Sequence, residues 1–69
     1  MELSNDLKIM RFKKNQITQE KLSKKLDVSR QTINAIENGK FNPSVKLAIL
    51  MAEFFECKVE NIFYLNKEK

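Results

Sequence analysis

Residues 19–40 read QEKLSKKLDVSRQTINAIENGK. Leu22 and Leu26 stand one turn apart, the spacing of an amphipathic helix, which predicts a first helix from about Thr18 to Leu26. Asp27-Val28-Ser29 interrupts it. Asp accepts a left-handed backbone better than most residues and can close a helix where Gly usually does. Val28 is the apolar residue of this turn and should point inward. Ser29 is a good N-cap, because its hydroxyl can accept an orphan amide of the next helix.

A second helix is predicted from about Arg30 to Asn38, ended by Gly39 in a left-handed cap. Ile33 and Ile36 fall on one side, flanked by Thr32. Arg30, Gln31, Asn34 and Asn38 fall on the other. Arg pairs bidentately with guanine, and Gln or Asn with adenine, so this side carries the side chains that read base edges. Taken singly, each is an ordinary polar residue on a surface helix. Their grouping at a fixed offset from a turn is what favours readout of duplex DNA.

The stretch resembles the helix-turn-helix of the Cro/C1-type, lambda-repressor-like family, also called XRE-like regulators. The matching runs are TQEKL at 18–22, VSRQTI at 28–33 and IENGK at 36–40, continued by NPSV at 42–45 and VENIF at 59–63. The resemblance spans about 7–63 and also takes in small standalone bacterial repressors. It implies an all-α, five-helix lambda-repressor-like domain that binds DNA. Three features depart from the family. Asp27 stands where many members have Gly, and Ser23 where a small Ala is usual. The spacing from Arg11 to Gln19 is longer by a residue than is common, which implies a looser first turn or a longer first helix.

With 69 residues, a single domain over 1–69 is expected, with the helix-turn-helix at about 18–38. One Gly, one Pro and 42% hydrophobic residues suit a compact helical fold rather than a disordered chain. The net charge of +4 favours a polyanionic partner without proving one. A single Cys forms no internal disulfide, so a cytoplasmic setting is expected. Without His there is no Ser-His or Cys-His pair and no usual zinc set. No apolar run is long enough for a bilayer, and no small-molecule ligand or cofactor is indicated.

The remaining elements follow in order. Ser4 or Asn5 can cap a helix from Asp6 to about Lys14, with Leu7 and Met10 toward the core. Ile17 should plug the core just before Thr18, the N-cap of the next helix. Ser44 should cap a helix from Val45 to about Glu56 that is apolar over most of its circumference and therefore buried on more than one side. A fifth, short helix is predicted near Glu60–Phe63. Tyr64-Leu65 reads as extended and could pair with Glu2-Leu3-Ser4 as a short terminal two-stranded ribbon; 66–69 reads as a polar tail.

For DNA, Ser29, Arg30, Gln31, Asn34 and Ala35 are the expected base contacts. Arg30 also lies close to the Glu37 side of its helix. Gln19, Thr32, Asn38 and Lys40 are the expected phosphate contacts, and Lys14, Lys21, Lys24 and Lys25 add positive field. The resemblance implies a structural ion pair between Arg11 and Glu37. One recognition helix reads only a few base pairs, so a homodimer on an inverted-repeat operator is expected. Its interface is placed at Leu50, Phe54, Val59, Ile62 and Phe63. The competing class is an antitoxin or adaptor whose apolar helix 45–56 holds another protein.

Overall fold

The computed structural model describes residues 2–66. Strand β1 (Glu2–Asn5) leads into four α-helices: α1 (Leu7–Lys13), α2 (Gln19–Leu26), α3 (Arg30–Glu37) and α4 (Val45–Phe55). A 3₁₀ turn at Val59–Asn61 then feeds strand β2 (Phe63–Asn66). The strands pair antiparallel with Glu2 opposite Asn66, Leu3 opposite Leu65, Ser4 opposite Tyr64 and Asn5 opposite Phe63. The two ends of the chain are thus laced together beside the helices.

Short polar side chains start the helices. Thr18 Oγ1 accepts the Lys21 amide at 3.1 Å, Ser29 Oγ that of Thr32 at 3.0 Å and Ser44 Oγ that of Leu47 at 3.1 Å. Each satisfies an amide that the helix itself leaves unpaired. For α1 the capping group comes from one residue further back: Asn5 Oδ1 accepts the Leu7 amide at 3.0 Å.

Left-handed residues end them. Asp27 (φ 60°) closes α2, and the Val28 amide reaches back to the Ser23 carbonyl at 3.0 Å. Glu56 (φ 57°) does the same for α4, with Cys57 bonding the Ala52 carbonyl at 2.9 Å. Gly39 (φ 74°) follows α3, with Lys40 bonding the Ala35 carbonyl at 2.9 Å. These are Schellman closures, which stop a helix by folding the chain back on its last turn. The additional residue between Arg11 and Gln19 sits in a link where Asn15 (φ 57°) and Gln16 (φ 55°) are both left-handed, so α1 is not lengthened.

Leu7, Leu22, Ile33, Ile36, Met51 and Ile62 are the largest fully buried side chains. Each removes apolar surface worth about 2 kcal/mol from water. One residue each from α1, α2 and α4, two from α3, and Ile62 from the C-terminal segment make a single core in which α2 packs closely on α3.

Two expectations are corrected here. Among the described residues there are four α-helices, not five, because the last predicted helix is only the 3₁₀ turn. The left-handed Glu56 halts α4, and Asn61 Oδ1 takes the Lys58 amide at 3.1 Å, which leaves no continuing helical ladder. Phe63 passes into β2, as does Asn66, which had been assigned to the polar tail; 67–69 lie outside the described residues. Second, Ile62 and Phe63 belong to the monomer's own core, 0% and 7% exposed, and offer almost no surface to a second copy. Leu50, Phe54 and Val59 are half-buried against that core.

Candidate nucleic-acid interface

The outward face of α3 carries Arg30, Gln31, Asn34 and Asn38, all exposed. The helix presents them because Ile33 and Ile36, on the opposite side, are drawn into the core.

Beneath this face a chain of polar contacts joins three helices. Arg11, on α1, is buried. Its Nε donates to Glu37 Oε2 at 2.6 Å and its Nη2 to Glu37 Oε1 at 3.1 Å. Its Nη1 donates to the Ile17 carbonyl at 2.9 Å, tying down the α1–α2 link. Glu37 Oε1 also accepts Gln19 Nε2 at 3.0 Å. Gln19 therefore has one amide proton directed at Glu37 and the other free to point outward. Its Oε1 faces α3, where Arg30 Nη1 and Asn34 Nδ2 approach it, both at 3.4 Å. Asn34 Oδ1 in turn accepts Asn38 Nδ2 at 3.0 Å. Bonds of 3.4 Å are long and weak, so Arg30 and Asn34 are steered rather than locked.

Among the described residues, Gln31 has no side-chain hydrogen bond, and its whole amide faces solvent. Ser29 Oγ, besides capping α3, lies 2.9 Å from Thr32 Oγ1. Ala35 is half-buried. Lys40 projects from the closure after α3, exposed. Arg30 is tied loosely to Gln19 and makes no bond to Glu37 among the described residues.

The lysines divide. Lys21, Lys25 and Lys40 are exposed. Lys24 Nζ lies 3.7 Å from Glu20 Oε2, a solvated pair worth little. Lys14 Nζ sits 5.1 Å from the Phe54 ring centroid and covers an apolar surface. Gln19's bond to Glu37 and the bond from Asn5 Nδ2 to the Ile36 carbonyl at 2.9 Å were not anticipated from sequence. The family runs place Gln19 and Glu37 in matching motifs, but nothing local points Asn5 toward α3.

Among the described residues no group of His, Cys, Asp and Glu could hold a metal. Burial raises the pKa of the Cys57 thiol above its ordinary value. No described helix is long and apolar enough to cross a membrane.

Comparison with known proteins agrees with this geometry. The family model described as helix-turn-helix matches residues 8–62. The chain belongs to the Cro/C1-type (XRE) helix-turn-helix family. An uncharacterized HTH-type transcriptional regulator of Methanocaldococcus jannaschii is 57% identical over 61 residues, covering 88% of this chain and 91% of the relative. One from Archaeoglobus fulgidus is 47% identical over 53 residues, covering 77% and 75%. A Bacillus subtilis regulator of the same description, YgzD, is 43% identical over 51 residues, covering 74% and 77%. Members of this XRE family are DNA-binding regulators.

Proposed function

We propose that this protein is a sequence-specific transcriptional repressor that binds an inverted-repeat operator as a homodimer. Helix α3 enters the major groove and α2 lies across the backbone. Ser29, Arg30, Gln31, Asn34 and Ala35 meet the bases, while Gln19, Thr32, Asn38 and Lys40 hold the phosphates. The observation that carries this reading is the exposed amide of Gln31 beside Arg30 and Asn34, a row of base-reading groups on the outer face of a capped helix. Two dyad-related copies would read half-sites about 34 Å apart. An operator overlapping a promoter then blocks polymerase.

The second reading is a protein-binding module. Val45 (77% exposed) and Ile49 (46%) stand one turn apart on the outer face of α4 and favour some protein contact there. A sister subunit meets that need as well as a foreign partner does.

The test is selection of bound sequences from a random duplex pool at about 150 mM salt, where nonspecific phosphate binding is weakened. Gln31→Ala is run on the same pool. Enrichment of an inverted repeat, relaxed at one position per half-site in the variant, supports the repressor reading. Binding that simply disappears with salt and enriches nothing overturns it in favour of the module.

A further inference from the structure

The geometry points to Asn5 as a positioning residue that fixes the C-terminal end of the recognition helix, and with it the phosphate grip of Asn38 and Lys40; this rests on the DNA-binding reading above. Asn5 occupies a three-way junction. In the ribbon it pairs with Phe63. Its Oδ1 accepts the Leu7 amide at 3.0 Å and so starts α1. Its Nδ2 donates to the Ile36 carbonyl at 2.9 Å, across 31 residues of sequence.

The Ile36 carbonyl does not need this bond. It already accepts the Gly39 amide at 3.0 Å as part of the closure of α3. A carbonyl has two lone pairs, and Asn5 takes the second. What the bond adds is location: it ties the last turn of α3 to the ribbon. The N-terminal end of α3 is fixed separately, by the Ser29 cap and by packing on α2. Arg11 and Gln19 hold the Glu37 side chain of this turn from α1 and α2; the Asn5 bond is the tie that runs from the backbone of the turn to the ribbon. Binding groups need placement to within about 0.5 Å, and those beyond Ile36 are the ones this bond governs.

Asn5→Asp separates the two roles. The carboxylate keeps an oxygen for the Leu7 amide but faces the Ile36 carbonyl with an acceptor in place of a donor. Tyr64→Phe is the control. It removes a different side-chain tie of the ribbon, from Tyr64 Oη to Asp6 Oδ1 at 2.7 Å, without touching α3. In the DNA-free protein, hydrogen exchange at Gly39 and Lys40 should rise in Asn5→Asp and not in Tyr64→Phe. Against the selected operator, Asn5→Asp should bind about ten-fold more weakly and with a shallower salt dependence, because phosphate contacts are lost. A merely destabilised protein loses affinity with an unchanged salt slope. If Asn5→Asp does not fold, Asn5→Ser, which keeps a hydroxyl acceptor but lacks the reaching amide, takes its place. Wild-type exchange at Gly39 and Lys40, or an equal effect of Tyr64→Phe, overturns the role. If the wild type enriches no operator, the repressor reading fails, and the exchange measurement still decides whether Asn5 holds α3.

Discussion

Arg11 and Glu37 lie 26 residues apart in sequence and meet in two hydrogen bonds, with side chains only 10% and 5% exposed. Removing one partner leaves the other charge buried, a cost of about 3–5 kcal/mol in comparable pairs. Arg11→Met and Glu37→Gln should each lower stability by about 3 kcal/mol, a large share of what a small domain has. Arg11→Met/Glu37→Leu should be more stable than either single variant, because no charge is stranded. Urea denaturation of all four proteins checks this; a double variant as unstable as the sum of the singles would contradict it.

Gln31 and Lys40 should fail in different ways. Gln31→Ala should cost about 1–3 kcal/mol against the operator and relax one position per half-site. Lys40→Ala should weaken all sequences about equally and reduce the magnitude of the log–log salt slope by about 2 in a dimer, starting from about 7 if some 8 phosphates are neutralised. Titrations at several salt concentrations separate the two patterns.

Glu56 holds a left-handed backbone (φ 57°) that costs a side-chain-bearing residue about 1–2 kcal/mol. Glu56→Gly relieves that strain but loosens the unfolded chain, which takes back about 0.4–1 kcal/mol. A net gain of about 0.5 kcal/mol is expected. Asp27→Gly, at φ 60°, should gain less, since Asp tolerates this region better than Glu. Thermal melts of both variants rank them; Asp27→Gly as the more stabilising change would be the wrong order.

The Tyr64 hydroxyl donates to Asp6, and this bond, followed by desolvation and the Asp6 charge, raises its pKa above the ordinary value of 10.0. The folded state therefore keeps the phenol proton more tightly than the unfolded state does. The stability it contributes is present below about pH 10 and is lost as pH rises through the raised value. Wild type and Tyr64→Phe should differ in melting temperature at neutral pH and converge above that range. A constant difference across alkaline pH would show that the proton plays no part.

Much of this was legible because it is local. Thr18, Ser29 and Ser44 each cap through a bond to an amide three residues on, and the left-handed end at Asp27 follows from its backbone preference. The segment at 59–63 misled because Val59, Ile62 and Phe63 have a spacing that a helix also uses, whereas Asn61 turns back on Lys58 and Phe63 joins a strand. At the site, the residue types on α3 were readable from periodicity. The orientation of the Gln19 amide was not, since it depends on Glu37, Arg30 and Asn34 of α3 packing against it across the turn.

The ribbon has a consequence for biosynthesis. Ile62 completes the core, the Asp6 amide bonds the Ile62 carbonyl at 2.8 Å, and β2 is the partner of β1. During translation β1 emerges early and waits for β2. A chain whose β2 is still inside the ribosome can form its helix-turn-helix locally, but it lacks the residues that close its core. A chain cut short before Ile62 would carry α3 yet not hold it in place.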